Sequence, residues 1–477
     1  MFQPAVYRKG DAVVHEKRGF PAVRKAIARG AVRLLEAADR RRARKAPPPQ
    51  IRDIRILLLH ANGMGGTIRT VINLAGQLAA THDVEIVSVL REAEEPFFAI
   101  PEGVRISYLD DRLGDGPGGP LRRLLSSRPS RLIPKEEAAA HRFTLWTDLL
   151  LVRYLRRQTS GVVIATRPGL NLVTARFTHP GAITIGQEHV GLSSHAEPVQ
   201  ALLKRRYPRL DALVALTKAD LSDYRTALRR KPRVLTRIPN SLPPLSGGPS
   251  TLTSKTVVAL GRLTRVKGFH KLLAAWEQVA AAHPDWTLSI YGAGNQQDNL
   301  AADIRDRGLS DSAFLMGPVS DVGPALQEAS IFAMTSRHEG FSLTILEAMS
   351  KGLAIVSFDS PHGPREMLTD RHDALMVKPR TPETLAERLC EVIEDEELRH
   401  RLGRAALATV QKYDGSVIGE QWEELLVKLL DKRRAAASPD LGHEPGAAAA
   451  EQPRPEPVSG AGRSRPRLPA GPAASEL

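Results

Sequence analysis

The sequence predicts an α/β protein with two domains, each built on a parallel β-sheet that helices cover on both faces. Three observations lead to this prediction. The chain has 477 residues, a length that favours two or three domains. Hydrophobic residues make up 42% of it, which is enough for a large core. Short apolar runs alternate with helical patterns in two separate stretches, and this alternation is typical of parallel sheets.

Residues 1–50 form a basic arm. They hold 13 Lys and Arg against 4 Asp and Glu, a surplus of 9 within a net charge of +14. Apolar residues recur there at helical spacing, with basic residues between them: Phe20, Val23, Ile27, Ala31, Leu34 and Ala38. A basic amphipathic helix fits peripheral contact with an anionic membrane, and it equally fits docking on the protein itself. We expect no nucleic-acid partner.

The first domain is predicted over residues 51–238. Buried strands are expected at 54–59, 84–89, 162–166, 182–186 and 213–216. Helices are expected near 67–80, 143–158, 169–178, 198–207 and 217–229. Residues 110–135 are rich in Gly, Pro, Arg and Ser, and this composition predicts a mobile loop.

A linker is predicted at 239–254, where Pro, Gly and Ser cluster. The second domain follows over 255–415, with strands at 257–260, 288–291, 313–316, 331–334, 354–358 and 374–377. Its helices are expected near 268–281, 321–328, 342–351 and 381–412. A last helix covers 416–435, and the composition of 436–477 predicts a disordered tail.

Several classes of protein are excluded or disfavoured. Cys390 is the single cysteine, so no disulfide framework exists, and a reducing, cytoplasmic location is expected. The first residues are too charged for a signal peptide, and no apolar run approaches the roughly 20 residues of a membrane span. The sequence has no Cys/His cluster with metal-ligand spacing, no Walker A sequence and no Gly-x-Ser-x-Gly elbow.

The most informative segment is 338–347. Glu339 is predicted in the loop between an apolar strand and a helix, where open α/β sheets bind ligands. Glu347 falls about two helical turns further along. Between them, Gly340, Phe341, Ser342 and Leu343 begin the helix, and a helix N-terminus attracts phosphate. Two hydroxyl acceptors and an anion cradle are the combination that a nucleotide-sugar needs, although both glutamates could also be ordinary solvated helix residues.

Two further loops follow strand ends. Gly65 and Gly66 lie between the first strand and its helix, in a loop that could admit a phosphate or simply form a tight turn. Arg262 and Lys267 bracket a turn after the first strand of the second domain. Cations at that edge could hold a diphosphate, with Arg as a bidentate fork and Lys as a point charge.

The remaining candidates carry weaker signals when each is taken alone. Gly292 and Gly294 end another strand, but Gln297 stands where a dinucleotide motif would have its third glycine. His189 follows a strand end of the first domain and is expected to face the cleft, whereas most single histidines are structural.

Taken together, these residues resemble the family 4 retaining glycosyltransferases. Those enzymes have the GT-B fold, in which two Rossmann-like domains with parallel sheets face a deep cleft. The resemblance runs from about Ile54 to Arg433, and its strongest element is the E-x7-E pattern of Glu339 and Glu347. The pair Gly261-Arg262 with Lys267-Gly268, then Gly292-x-Gly294 and Gly317-Pro318-Val319, occur in the family's order.

The resemblance implies a role for each domain and each residue. The first domain would bind the acceptor, the second would bind the nucleotide-sugar, and the last helix would cross back to the first. Arg262 and Lys267 would hold the diphosphate, assisted by the helix start. Glu347 would bind the ribose, Glu339 the donor sugar, and His189 would lie near the transferred sugar. The two glycine loops and Val319 would also contact substrate.

The predicted enzyme is therefore a metal-independent hexosyltransferase with no cofactor beyond its nucleotide-sugar co-substrate, most simply a UDP-sugar. The family's retaining mechanism lets the departing phosphate take the acceptor's proton, so no general base is assigned. The loop 360–366 resembles a Gly-Pro-x-Glu form found in enzymes that glycosylate wall polymers or lipopolysaccharide cores. This predicts a glycan, wall-polymer or lipid-linked acceptor, and membrane contact through the basic arm would place the enzyme at the inner face of the plasma membrane. The alternatives are a catalytically silent GT-B-like scaffold and another GT-B enzyme, such as a nucleotide-sugar epimerase or a phosphorylase.

Overall fold

The computed structural model describes residues 47–114 and 119–437. The predicted basic arm, apart from its last four residues, and the predicted tail from residue 438 onward lie outside the described residues. In the described part of the chain, no helix is both long enough and apolar enough to span a membrane.

The first sheet is assembled from seven parallel strands. They are β1 (Asp53–His60), β2 (Asp83–Arg91), β3 (Val104–Asp111), β4 (Val162–Ala165), β5 (Ile183–Gln187), β6 (Ala212–Ala215) and β7 (Val234–Arg237). Their order is β3-β2-β1-β4-β5-β6-β7. Alternate residues of β1 enter different cores: Ile54 and Ile56 pack on one face, and Leu57 and Leu59 on the other. Both faces are thus buried, as the alternation of strands and helices predicted.

The helices of this domain are α1 (Gly66–Leu78), α2 (Pro120–Ser126), α3 (Leu145–Arg157), α4 (Pro168–Phe177), α5 (Glu197–Arg206) and α6 (Lys218–Ala227). The expectation of a loop over 110–135 is wrong for residues 120–126, which form helix α2, and for 110–111, which end β3. Helix α2 lies within that segment, and the chain after it is held by the buried Asp148 carboxylate. Ser130 Oγ donates to Asp148 Oδ1 at 2.6 Å, and Arg131 N donates to Oδ2 at 2.8 Å.

The second sheet is also parallel. Its strands are β8 (Thr256–Leu260), β9 (Thr287–Tyr291), β10 (Ala313–Gly317), β11 (Ile331–Met334), β12 (Ala354–Phe358) and β13 (Leu375–Val377), in the order β10-β9-β8-β11-β12-β13. Its helices are α7 (Phe269–Ala282), α8 (Gln297–Asp306), α9 (Gly323–Gln327), α10 (Leu343–Ser350), α11 (Gly363–Met367), α12 (Pro382–Glu394) and α13 (Glu396–Val410). The single helix expected over 381–412 is two helices, because Asp395 ends one and its carboxylate caps the next by accepting from Leu398 N at 2.8 Å.

The segment 239–254 contains no helix or strand, and hydrogen bonds hold it against the second sheet domain. Leu242 N donates to Tyr413 O, and Ser250 N donates to Lys351 O, each at 2.8 Å. The last helix, α14 (Gly415–Ala437), instead packs on the first domain, where Trp422 joins the same core as β1. The α/β fold with two parallel sheets is therefore confirmed, and α14 ties the end of the second domain back to the first.

Candidate functional site

A cavity of 560 Å³ lies where the carboxyl ends of both sheets face each other. Both domains line it. Of the residues predicted from sequence, the lining includes Gly65, Gly66, His189, Arg262, Lys267, Gly292, Val319, Glu339, Gly340, Phe341, Ser342, Leu343 and Glu347. Gly294 is the one predicted site residue outside this lining.

Lys267 and Glu339 meet at the second-domain side of the cavity. Lys267 ends a 3-10 turn (Arg265–Lys267) that closes at Gly268, where φ is 71° and an added Cβ would lie 2.4 Å from Thr335 O. Lys267 Nζ donates to Glu339 Oε1 at 2.5 Å, and the two side chains are 21% and 12% exposed. The two opposite charges compensate each other, so an incoming phosphate would compete with Glu339 for the Lys267 ammonium group.

Glu347 lies on α10 and is almost fully buried. Burial raises the pKa of its carboxyl, the Arg69 guanidinium opposes that rise, and the Asp321 carboxylate adds to it. Helix α10 begins at Leu343, one residue later than predicted, and no side chain caps its first turn. Its first N–H groups are therefore free of a side-chain acceptor and suited to an anion.

His189 contacts the second domain through its backbone. An added Cβ at Gly340 would lie 2.4 Å from His189 O, so the two loops touch. Burial lowers the pKa of the imidazole to about 4. His189 is therefore neutral near pH 7 and can exchange hydrogen bonds with a ligand, since its Nε2 is buried and without a partner among the described residues.

Arg262 reaches the glycine loop of the first domain. An added Cβ at Gly65 would lie 3.6 Å from the Arg262 Nη2 atom, so the cation faces that loop across the cleft. Gly292 and Gly294 serve the packing behind it. An added Cβ at Gly292 would lie 1.9 Å from Gly261 O, and one at Gly294 would lie 2.3 Å from Leu263 O. These two glycines let the β9 loop rest directly on the backbone of the β8 loop.

The cleft residues that were not predicted from the sequence include Phe97, Phe98 and Arg69. The two rings meet edge to face, with centroids 5.0 Å apart, and the Arg69 guanidinium lies 5.1 Å from the Phe98 centroid. Both aromatic residues belong to the connection after β2, which has no regular periodicity. The adjacent pair of aromatic residues in a polar segment was the available signal.

The loop 360–366 joins the two domains beside the cavity. His362 has a φ of 69°, and its Nδ1 lies 3.2 Å from Asp220 Oδ1. Glu366 accepts from Arg237 Nη1 at 2.9 Å and from Lys218 N at 3.2 Å. The Gly-Pro-x-Glu segment noted in the sequence therefore supports contact between the domains.

Two groups of side chains bring possible metal-ligating atoms within 4.8 Å of one another in the described part of the chain. They are Asp220, Asp223 and His362, and His283, Cys390 and Glu394. Neither group lines the cavity, so neither one could hold a metal ion within it.

Comparison with known proteins finds a family match in the second sheet domain. Residues 248–409 match the family described as glycosyl transferases group 1. An exopolysaccharide phosphotransferase of Streptomyces coelicolor is 35% identical over 80% of this chain and 41% of that protein. A poly(glycerol-phosphate) alpha-glucosyltransferase of Bacillus subtilis is 25% identical over 47% of this chain and 34% of that protein. This chain thus spans less than half the length of either relative.

The fold is shared with solved structures. The crystal structure of S. aureus TarM in complex with Fondaparinux, alpha-GlcNAc-glycerol and UDP superposes with a TM-score of 0.65 at 16% identity, covering 79% of this chain and 100% of that one. At this identity the likeness concerns the fold, and it agrees with the two facing parallel sheets. Residues 248–409 thus match the group 1 glycosyltransferases, and the chain has the GT-B fold.

Proposed function

We propose that this chain is a retaining hexosyltransferase that moves a hexose from a UDP-sugar to a hydroxyl of a glycan, wall-polymer or lipid-linked acceptor. One observation carries the proposal. One cavity between the domains is lined by three cations (Arg69, Arg262 and Lys267), two carboxylates and an uncapped helix start. These groups match the diphosphate, the hydroxyls and the developing charge of such a donor.

The donor groups divide between the residues. Arg262 and Lys267 bind the diphosphate and stabilise the negative charge that grows on it as the glycosidic bond breaks. Glu347 accepts from the ribose hydroxyls, and Glu339 accepts from the hydroxyls of the sugar once Lys267 turns to the phosphate. Two cations and a helix start can supply the charge that a metal ion would, so we propose that transfer needs no metal and no further cofactor.

The proton of the acceptor hydroxyl passes to the departing phosphate, on the same face of the sugar that the nucleophile attacks. The anomeric C–O bond to the diphosphate breaks as the bond to the acceptor oxygen forms. Burial lowers the pKa of His189 to about 4, which makes it a poor base near pH 7. Its proposed task is to position the sugar or the acceptor by hydrogen bonding.

The proposal of a polymer acceptor draws on what similar proteins are named for. One relative is named for glucosyl transfer to poly(glycerol-phosphate), and the TarM structure holds UDP with a GlcNAc-glycerol compound. Phe97 of the first domain also lines the cavity and offers it an apolar ring. A ring of this kind suits the C–H face of a sugar unit.

A second candidate is transfer of a sugar phosphate, because the relative with 35% identity is named a phosphotransferase. That name describes a whole protein of which this chain matches 41%. The chemistry separates the two reactions. Glycosyl transfer breaks the bond between the sugar and the β-phosphate and releases UDP, whereas sugar-phosphate transfer breaks the bond between the phosphates and releases UMP.

The test is incubation of the full chain with a panel of nucleotide-sugars and glycan or polyol-phosphate acceptors, with chromatographic analysis of the nucleotide released. UDP release that depends on the acceptor supports hexosyl transfer. UMP release supports the second candidate. Conversion of the sugar without acceptor indicates an epimerase, and nucleotide binding without any turnover indicates a scaffold.

The two glutamates should have separable effects. Glu347→Gln should weaken UDP binding, because it removes the charge that accepts from the ribose, and Glu339→Gln should mainly slow transfer. Binding is measured by calorimetry and transfer by UDP release, with Glu387→Gln, an exposed helix position, as the matched control. Equal losses of UDP affinity in the two site variants would contradict this division of roles.

A further inference from the structure

Arg69 crosses from the first domain to the nucleotide side of the cavity. It lies on α1, in the turn that follows the Gly65-Gly66 pair, and its side chain is 12% exposed. Its Nε atom lies 3.5 Å from Glu347 Oε1, and its Nη1 atom donates to Ser320 O at 3.0 Å. The guanidinium therefore touches the carboxylate on α10 and the loop after β10 at the same time.

Glu347 depends on this contact. Its side chain is 4% exposed and lines the cavity, and Arg69 is the cation with which it is paired. Lys267, the other cation close to a cavity glutamate, is engaged with Glu339 instead. The carboxylate proposed to bind ribose is thus oriented by the opposite domain.

We propose that Arg69 is a positioning residue for the donor nucleotide, holding the Glu347 carboxylate and the loop at Ser320 in place from across the cleft. The inference rests on the proposed function, since it takes Glu347 as the ribose ligand. Arg69 acts through Glu347 and Ser320, and the first domain thereby completes a nucleoside site that the second domain otherwise forms alone.

The electrostatics agree with this role. A carboxylate can accept from two hydroxyls, and protonation of the carboxyl removes part of that capacity. Burial and Asp321 both raise the pKa of Glu347, and Arg69 opposes them. Asp321 itself stays in place through bonds from Ser246 N and Gly323 N. Removal of Arg69 therefore leaves only influences that favour the protonated form.

The neighbouring loop gives Arg69 a second point of action. Ser320 follows Val319, which lines the cavity, so the bond from Arg69 to the Ser320 carbonyl fixes the backbone beside this predicted substrate contact. The Phe98 ring covers the guanidinium and restricts its movement. Arg69 is thus held in the orientation in which it bridges α10 and this loop.

The test measures UDP affinity of the full chain by calorimetry between pH 6 and pH 8.5. Arg69→Met should weaken binding about 10- to 150-fold, the range for loss of a hydrogen bond to a charged group. The loss should be largest at low pH and recover as the pH rises, because the variant's Glu347 is protonated more readily. Arg69→Lys keeps a charge and should restore most of the affinity and the wild-type pH profile.

Arg237→Met is the matched control. Arg237 is also a first-domain arginine that pairs with a second-domain glutamate, Glu366 at 2.9 Å, but it does not line the cavity. It should leave UDP affinity within about twofold of the wild type. In a Glu347→Gln background, Arg69→Met should weaken binding less than it does in the wild type and without the pH dependence, because only its bond to Ser320 O remains to be lost.

Three outcomes would overturn the inference. Arg69→Met that binds UDP as tightly as the wild type, or more tightly, would mean that Arg69 is idle or competes with the ribose. An equal loss at every pH, shared by Arg237→Met, would mean that both arginines merely hold the domains together. If Arg69→Met does not fold, Arg69→Lys with a wild-type melting temperature carries the test, and a full loss of affinity in it would contradict the role of charge.

The same experiment separates this inference from the proposed function. Wild-type protein that binds UDP and releases it from a UDP-sugar, together with an unaffected Arg69→Met, overturns the inference alone. Wild-type protein that binds none of UDP, GDP and ADP and turns over no nucleotide-sugar overturns the proposed function, and the inference falls with it.

Discussion

Arg262 projects into the cleft from a turn, and replacing Gly292 with alanine should displace that turn. The backbone at Gly292 has a φ of 146°, and an added Cβ would lie 1.9 Å from Gly261 O. Real Cβ atoms keep at least 3.0 Å from such an atom, so one backbone segment must move by about 1.1 Å or more. The obstacle is backbone rather than a flexible side chain, so it cannot be relieved by a rotamer change.

The energetic cost has two parts. Forcing a methyl group into a packed site costs about 1–3 kcal/mol, and a strained backbone conformation costs about 1–3 kcal/mol. A total of about 3 kcal/mol corresponds to a fall in melting temperature of about 6–12 °C for a domain of this size. Gly292→Ala should also weaken UDP binding, because Arg262 follows Gly261 directly in the chain.

Thermal unfolding and calorimetry with UDP measure the two effects. Gly248→Ala is the control, because an added Cβ there meets nothing within 4 Å and its φ lies outside the range that disfavours side chains. That control should keep both the melting temperature and the UDP affinity. If Gly292→Ala has the same melting temperature as the control, then Gly292 is not what allows the β8 and β9 loops to approach so closely.

The remaining predictions concern charge in the cleft. Lys267→Ala or Arg262→Ala should lower kcat about 10²–10³-fold, as removal of an electrostatic stabiliser does, and near-normal turnover at saturating donor would contradict their role. EDTA should leave UDP release unchanged, whereas loss of activity that Mn²⁺ or Mg²⁺ restores would contradict the proposed metal independence. Burial lowers the pKa of His189 from 6.5 to about 4, so the unfolded chain binds that proton first as the pH falls, and up to about 3 kcal/mol of stability should be lost between those values. His189→Gln should flatten this part of the melting temperature profile, and an unchanged profile would contradict the buried neutral imidazole.

The sequence predicted the strands that are buried on both faces, because such strands are continuous apolar runs. It missed β3 and β7, which lie at the two edges of the first sheet and are only partly buried. The segment 110–135 was misjudged for a different reason. The Asp148 carboxylate of α3 holds this segment at Ser130 and Arg131 through hydrogen bonds, and amino-acid composition does not reveal such contacts.

The candidate site was predictable where a motif lies on one loop. Glu339 and Glu347 line one cavity with the helix start between them, as expected from their spacing. Their two cationic partners were not equally predictable. Lys267 follows a predicted strand end in the same domain, whereas Arg69 occupies an ordinary helix position 278 residues before Glu347 in the numbering of the chain. Only the approach of the two domains makes that arginine part of the site.

The two ion pairs of the cavity suggest how donor binding and domain contact are linked. Each carboxylate that we propose to bind the donor is already paired with a cation. Glu339 Oε1 lies 2.5 Å from Lys267 Nζ, and Glu347 Oε1 lies 3.5 Å from Arg69 Nε. Compensation limits the cost of keeping charged groups in a partly dehydrated cleft. Glu339 and Lys267, on the sugar side, belong to the same domain, so they stay together if the domains separate. The Glu347–Arg69 pair spans the two domains, so separation would leave Glu347 without its cation, and nucleotide binding should favour the closed cleft.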